Sequence, residues 1–588
     1  MYRMNEKSAA SLLPITAESE AHISSTHNAI ERLRQLRRGF FKLGLLGLAA
    51  YYLLCALFDN AADDGRGSSN KHHHEISHGS KFQFEKHMQV DIDQLVAGTL
   101  ESNIVWDRLA EMTDTYGPRI VGSETLEKSI DWVVEKVKAD NLSVTTEEVV
   151  VDYWQRNHES LHFLSPTRGP VKMHILGLGY SVSTPDPING LVAEIVVAHS
   201  KEELDELAKA GKVEGKVVVW NKPFSQYDED FVFRAFGAIW AQEHGAVASL
   251  VRSLGPFSLQ TPHTGAADPA NIPAASVSAE DADLLQRSFQ RHQQDPERFP
   301  EWPRIRLVMG AATELDAKIS RNIIIELKGR DTPGEVVVIG GHIDSWDVGS
   351  GAVDDGAGCF IAWETLRQLS RLERPPRRTV RVVFWTSEEN TAAGAEVYAE
   401  NHPESDSNRH VFAFESDIGV FDAYGIAFTP GRRNEGLNEL TGFNSFKYLA
   451  AAGKHFMGAR KDLGYPGAGQ YVLPDGEGED INPLCNRGVA CAQFTPADPF
   501  PLPYSTSPYA VPSMTEGHRH HKHHRHHRHH GGDNKDVNPP RRPLDSGYFY
   551  YHHTEADTMG AFTPEQLKRS AAVMAIWTYI VAESTVDL

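Results

Sequence analysis

The chain has 588 residues, 29 histidines, four cysteines and a formal charge of −21 from 58 basic and 79 acidic side chains. Its 40% hydrophobic and 23% charged content fits a globular protein of several domain-sized units and excludes both wholesale disorder and a multi-span membrane protein. The acidic balance excludes a broad basic face for nucleic acid, and so few cysteines exclude a disulfide framework or a Cys-rich metal cluster, which leaves His, Asp and Glu to hold any metal.

Residues 1–38 are polar and end in Arg32, Arg34, Arg37 and Arg38, which predicts a cytoplasmic tail. Residues 39–58 follow as a mostly apolar run closed by Asp59, Asp63 and Asp64. At 1.5 Å per residue the run reaches roughly 30 Å, enough to span hydrocarbon. Positive charge before it and negative charge after it predict a signal anchor with the bulk of the chain outside the cytoplasm. The alternative is a long secretory signal cut near LCALFDNAA. Either reading places the protein in the secretory pathway, lumenal or extracellular. Residues 59–87, with GRGSSN and His72–His74, read as a flexible stalk.

Residues 88–158 open the globular pattern as the N-terminal part of the main domain. DIDQLVAGTLESNIVWDRLAEMTDTYG has helical periodicity, and Ser123 caps a second helix over SETLEKSIDWVVEKVKADN. LSVTTEEVVVDYW is a strand, and Asn141 opens the glycosylation sequon Asn141-Leu142-Ser143. Residues 159–312 change to short β-type runs (LVAEIVVA, KVVVWN, VASLVRS, AASVS, RIRLVMG) between Gly/Pro turns. They predict a self-contained β-rich insert, a lid or substrate-shaping unit without a cluster of titratable residues.

Residues 313–498 read as the α/β core. NIIIELKG, EVVVIGGHID, TVRVVFWTSEE and HVFAFESD are near-continuous apolar runs, as strands covered on both faces should be. AGCFIAWETLRQLSRL and TAAGAEVYAENH supply helices between them. Residues 499–545 are a low-complexity loop that contains HRHHKHHRHHRHH with nine histidines; it reads as a metal-gathering or acid-sensing tract, or as a tolerated insertion. Residues 546–588 end in a helix with a strong start at Thr563-Pro564-Glu565-Gln566.

The chemistry lies at strand ends. EVVVIGGHID delivers His342 and Asp344, TVRVVFWTSEE delivers Glu388 and Glu389, and HVFAFESD delivers Asp417. In open α/β sheets ligands bind beyond the carboxyl ends of the strands. The loop DSWDVGSGAVDDGAG adds Asp354 and Asp355, and YFYYHHTEADT adds His552, His553 and Asp557. Carboxylates converging with imidazoles need cations to neutralise them. That ligand chemistry suits zinc, and a bridged pair of ions would leave one further carboxylate as general base.

These stretches together resemble the M28 metallopeptidases, especially their carboxypeptidase Q group. TYGPRIVGSETLEK, HILGLGYSVSTP, VASLVRSLGPFSLQTPHTG and GEGEDI extend the resemblance over residues 90–498 and from 546 onward. It implies an α/β fold of zinc-exopeptidase type, a mixed central sheet with helices on both faces and an inserted PA-like domain. It implies two zinc ions, with His342 and Asp417 on one, Glu389 and His553 on the other, and Asp354 bridging. Glu388 becomes the general base. Asp344 becomes the carboxylate that orients His342 from behind, and Asp557 does the same for His553. The resemblance also implies a cis peptide after Asp354, a small-peptide substrate such as an unblocked dipeptide, and a homodimer. Cys485 and Cys491 in CNRGVAC, where the resemblance implies no pair, either close a small disulfide or remain free thiols. The alternative function is a catalytically inactive, membrane-displayed binding protein on a peptidase scaffold.

Overall fold

The computed structural model describes residues 82–586 except 257, 315, 432–437, 477 and 498–546. The expected tail, anchor and His-rich tract therefore lie outside the described residues, as does the stalk up to residue 81. Residues 82–87 belong to the fold instead: Phe82 sits edge-on to Tyr448 at 5.5 Å and Phe84 to Phe456 at 5.1 Å, and a helix begins at Lys86. Among the described residues no helix is long and apolar enough to cross a membrane.

The expected first helical segment is two helices, Lys86–Glu101 and Ile104–Tyr116. Ser102 turns extended (φ −97°, ψ 137°) and its Oγ accepts from the Ile104 N–H at 3.2 Å, so a capping side chain breaks the periodicity. The helix Glu124–Ala139 starts where expected, with the Ser123 side chain accepting from Leu126 N.

An eight-stranded mixed sheet forms the centre. Its order is Ser143–Val151, Lys318–Leu327, Arg378–Trp385, Thr332–His342, Arg409–Glu415, Ala490–Pro496, Ala423–Thr429 and Tyr471–Leu473. Thr332–His342 runs parallel to both of its neighbours, with His342 opposite Trp385 and Gly340 opposite Glu415. This register brings three carboxyl ends to one edge of the sheet.

Side-chain alternation along a strand explains the apolar runs. Val337 and Ile339 join one core with the helices Lys86–Glu101, Ala357–Leu369 and Pro564–Glu583, while Val336 and Val338 join another with Ala395, Tyr398 and Leu484. The C-terminal helix carries the full capping box between Thr563 and Gln566 and buries Trp577 completely. Cys485 and Cys491 are bonded, with Cα atoms 5.8 Å apart.

A second eight-stranded sheet spans Glu159–Ser165 to Arg304–Met309 around its own apolar core. Its parallel segment Leu191–Ala198, Val217–Trp220, Ala248–Arg252 and Ala274–Val277 matches the apolar runs read from the sequence.

Candidate active site

Each strand end hands its acidic or imidazole residue to one place. His342 closes its strand and is fully buried. Glu388 and Glu389 open the short helix Glu388–Thr391 after the neighbouring strand, and Asp417 follows the strand Arg409–Glu415 on the other side. The loop after His342 returns through Asp354, whose peptide bond to Asp355 is cis. A side chain at Gly341 would overlap Asp355 Oδ2, so only glycine lets this loop close over the strand end.

Asp354 stands between two imidazoles. Its Oδ1 is 3.2 Å from His342 Nε2 and its Oδ2 is 3.3 Å from His553 Nε2. Asp417 Oδ1 lies 3.3 Å from His342 Nε2, and Glu389 Oε2 lies 2.9 Å from His553 Nε2. Glu388 Oε2 approaches His342 to 3.8 Å and is the outermost of the group. Among the described carboxylates the neighbouring His552 comes within ion-pair range of Asp354 alone, at 3.6 Å, so Glu389 is met by His553 rather than His552.

The electrostatics call for cations. Burial pushes the carboxyls of Glu388, Glu389 and Asp417 above their usual range, and neighbouring carboxylates push them further against the opposing pull of His342. Burial alone would lower His342, but Asp417, Asp354 and Glu388 raise it well above an ordinary imidazole. His553 is held neutral by burial and by the nearby Arg234, the state in which an imidazole ligates metal. Asp354 Oδ2 and Glu389 Oε1 are buried without a hydrogen-bond donor. Acceptor oxygens left orphaned beside neutral imidazole fit a metal-binding role.

Among the described residues, three groups bring ligand atoms within 4.8 Å of one another: His342 with Asp354 and Glu389, His342 with Asp355 and Asp417, and His263 with His552 and His553. In the second, Asp355 is already engaged, accepting from His342 N at 3.2 Å and Gly358 N at 3.1 Å. In the third, the Arg234 guanidinium lies 3.1 Å from His263 Nε2, which disfavours a further cation.

Two expected supporting roles differ in detail. His342 Nδ1 meets the main-chain carbonyl of Asp344 at 3.0 Å, whereas the Asp344 carboxylate is 3.8 Å away and accepts from the Glu388 N–H at 3.3 Å. The chain has already left the strand at Asp344, which turns the carboxylate toward the next helix start. Asp557 does not serve His553. Turns at Thr554 and Asp557 swing its carboxylate onto the N–H groups of Val353 (2.6 Å) and Asp354 (3.3 Å).

The second sheet's region is not free of titratable chemistry, contrary to the expectation. Arg234, Tyr227 and His263 from it reach the site, and Arg234 Nη1 is 2.6 Å from Tyr227 Oη and 3.4 Å from His553 Nδ1. Arg234 is buried and has no carboxylate in ion-pair range among the described residues. The conspicuous signal was the PHTG segment, Pro262 to Gly265. Asp355, Glu415 and Asp480 were also unassigned; Glu415 is pushed up to about 8 by burial and by Asp417.

Residues 322–578 match the model of peptidase family M28. The chain is 34% identical over 487 residues to carboxypeptidase Q of Bos taurus and 33% identical over 486 to that of Homo sapiens; each match covers 82% of this chain and 86% of the relative. A solved peptidase M28 precursor from Shewanella amazonensis superposes with a TM-score of 0.67 at 28% identity, covering 85% of this chain and 98% of that one. A zinc aminopeptidase from Bacillus subtilis shares the fold, with a TM-score of 0.52 at 17% identity over 82% of this chain and 96% of that one. This similarity along most of its length establishes that the chain belongs to peptidase family M28.

Proposed function

We propose that the protein is a zinc-dependent exopeptidase acting on short, unblocked peptides. The observation that carries this reading is Asp354 set between His342 and His553, with a further carboxylate on each side. In it, His342 and Asp417 would hold one ion, Glu389 and His553 a second, and Asp354 both. When bound, zinc polarises a peptide carbonyl and lowers the pKa of a water toward neutrality.

The chain's own groups do the rest. Glu388, the outermost carboxylate, takes the proton of the attacking water and returns it to the leaving amine. Asp344 fixes the Glu388 main chain through its N–H. Asp557 fixes the main chain of Asp354. Arg234, a buried cation without an acidic partner among the described residues, supports a free carboxylate on the substrate, and hence peptides with an open C-terminus. The Cys485–Cys491 bond supports an oxidising, lumenal or extracellular location. The exposed Asn141, at φ 59° between a helix and a strand, supports glycosylation there.

Dipeptide hydrolysis by the purified protein, with and without chelator, tests the reading. Glu388→Gln should lower kcat about 10²- to 10⁴-fold with metal content unchanged. Undiminished turnover would remove Glu388 from the role. A zinc-loaded wild type that cleaves no dipeptide would sink the whole assignment.

A further inference from the structure

His553 is held from outside the central sheet. The Thr264 N–H donates to the His553 carbonyl at 2.9 Å, and the Thr264 carbonyl faces His553 Nδ1 at 3.3 Å. Thr264 is fastened in turn: its hydroxyl donates to the Gly177 carbonyl at 2.8 Å and accepts from Arg156 Nη2 at 3.3 Å. Arg156 Nε pairs with Asp347 at 2.9 Å, on the loop that carries the chain from His342 to Asp354. One chain of contacts therefore runs from the second sheet's region to both ends of the ligand set.

Two groups compete for the same ring nitrogen. For Nε2 of His553 to face Glu389 and Asp354 as a metal ligand it must be unprotonated, so Nδ1 must carry the hydrogen. The Thr264 carbonyl accepts such a hydrogen. An Arg234 N–H would do the reverse, since it needs Nδ1 as an acceptor and forces the hydrogen onto Nε2. Arg234 Nη1 has two hydrogens and three neighbours, Tyr227 Oη at 2.6 Å, His263 Nε2 at 3.1 Å and His553 Nδ1 at 3.4 Å. The two nearer groups use both hydrogens, which leaves Nδ1 to Thr264.

We infer that Thr264, Tyr227 and His263 are positioning residues that select the metal-competent tautomer of His553: Thr264 by accepting from Nδ1, and Tyr227 with His263 by keeping Arg234 off it. The region of the second sheet is thereby part of the metal site rather than a lid over it. This rests on the metallopeptidase reading above, because it concerns the affinity of one of the two ions.

The test is a zinc titration of the full-length protein against a competing chelator, resolving two equivalents, on the wild type, Thr264→Val, Tyr227→Phe and Tyr227→Phe with Arg234→Met. Partners of this kind typically change metal affinity by about 10- to 100-fold. Thr264→Val, which frees the anchored carbonyl, should weaken one equivalent by that amount and leave the other. Tyr227→Phe keeps the stack on Phe549 (4.6 Å) but releases an Arg234 hydrogen, and should weaken the same equivalent. Adding Arg234→Met should restore it, which mere damage to packing would not allow. Should Thr264→Val fail to fold, the Tyr227 pair decides alone. Unchanged binding in Tyr227→Phe, or a failure of Arg234→Met to restore it, overturns the inference while leaving the peptidase reading intact. A wild type that binds no zinc overturns that reading itself.

Discussion

Replacing Asp557 with Asn tests whether the Asp354 carboxylate, set between His342 and His553, is placed by its own backbone. Asp557 is buried, and its two oxygens accept from Val353 N at 2.6 Å and Asp354 N at 3.3 Å. Burial and Asp354 push it up to about 7, so its ionised form is stabilised mainly by these N–H groups. An amide retains one acceptor and turns an NH2 toward the other N–H. One buried donor is then orphaned, at a cost of about 1–3 kcal/mol. If Asp354 shifts as a result, each tenfold loss in zinc affinity removes a further 1.4 kcal/mol or so of metal-linked stability at fixed free zinc. Urea unfolding should therefore show a loss of about 1–3 kcal/mol in chelator and a larger one in buffered zinc. Equal losses in the two conditions would mean that Asp557 supports the fold without placing Asp354, and no loss in either would refute the argument altogether.

Arg234→Met should raise KM for dipeptides with a free C-terminus at least tenfold and leave C-terminally amidated analogues little changed, as read by steady-state kinetics; equal effects on both would remove the carboxylate-binding role. His410 is buried, and burial with Arg381 lowers it to about 4 against the pull of Glu404. Its stabilising effect is therefore present above pH 6.5 and lost as pH falls from about 6.5 to about 4, amounting to about 3 kcal/mol. His410→Gln should flatten that part of the unfolding profile. The buried pair Arg367–Glu364, two contacts at 2.6 Å, predicts that Glu364→Gln destabilises by about 3–5 kcal/mol in thermal unfolding, since it strands the guanidinium.

Much of this was legible because strands buried on both faces leave long apolar runs, and a polar residue ending such a run stands out. His342, Glu388, Glu389 and Asp417 were readable for that reason, and Asp354 and His553 from the motifs that follow. Asp344 and Asp557 lie beside the cluster, yet their hydrogen bonds were not readable. Which donor a carboxylate meets depends on turns after the strand, and sequence spacing does not encode them. Arg234 and Tyr227 were invisible in a different way. They lie on an ordinary-looking helix, Tyr227–Glu243, and become part of the site only because the two sheets' regions meet. Ser102 shows the same limit locally, since a single hydroxyl ended a helix that the apolar pattern would have continued.

The placement of His553 far along the chain from the other site residues also orders events in time. His342, Asp354, Glu388, Glu389 and Asp417 leave the ribosome well before His553, so the nascent chain has the proposed carboxylate ligands before it has the second imidazole. Any ion captured then would lack its last nitrogen ligand, and exchange freely. Secure loading would wait for the C-terminal segment to dock beside Thr264. On the proposed ligand assignment, metal retention would report that synthesis has reached the C-terminal segment.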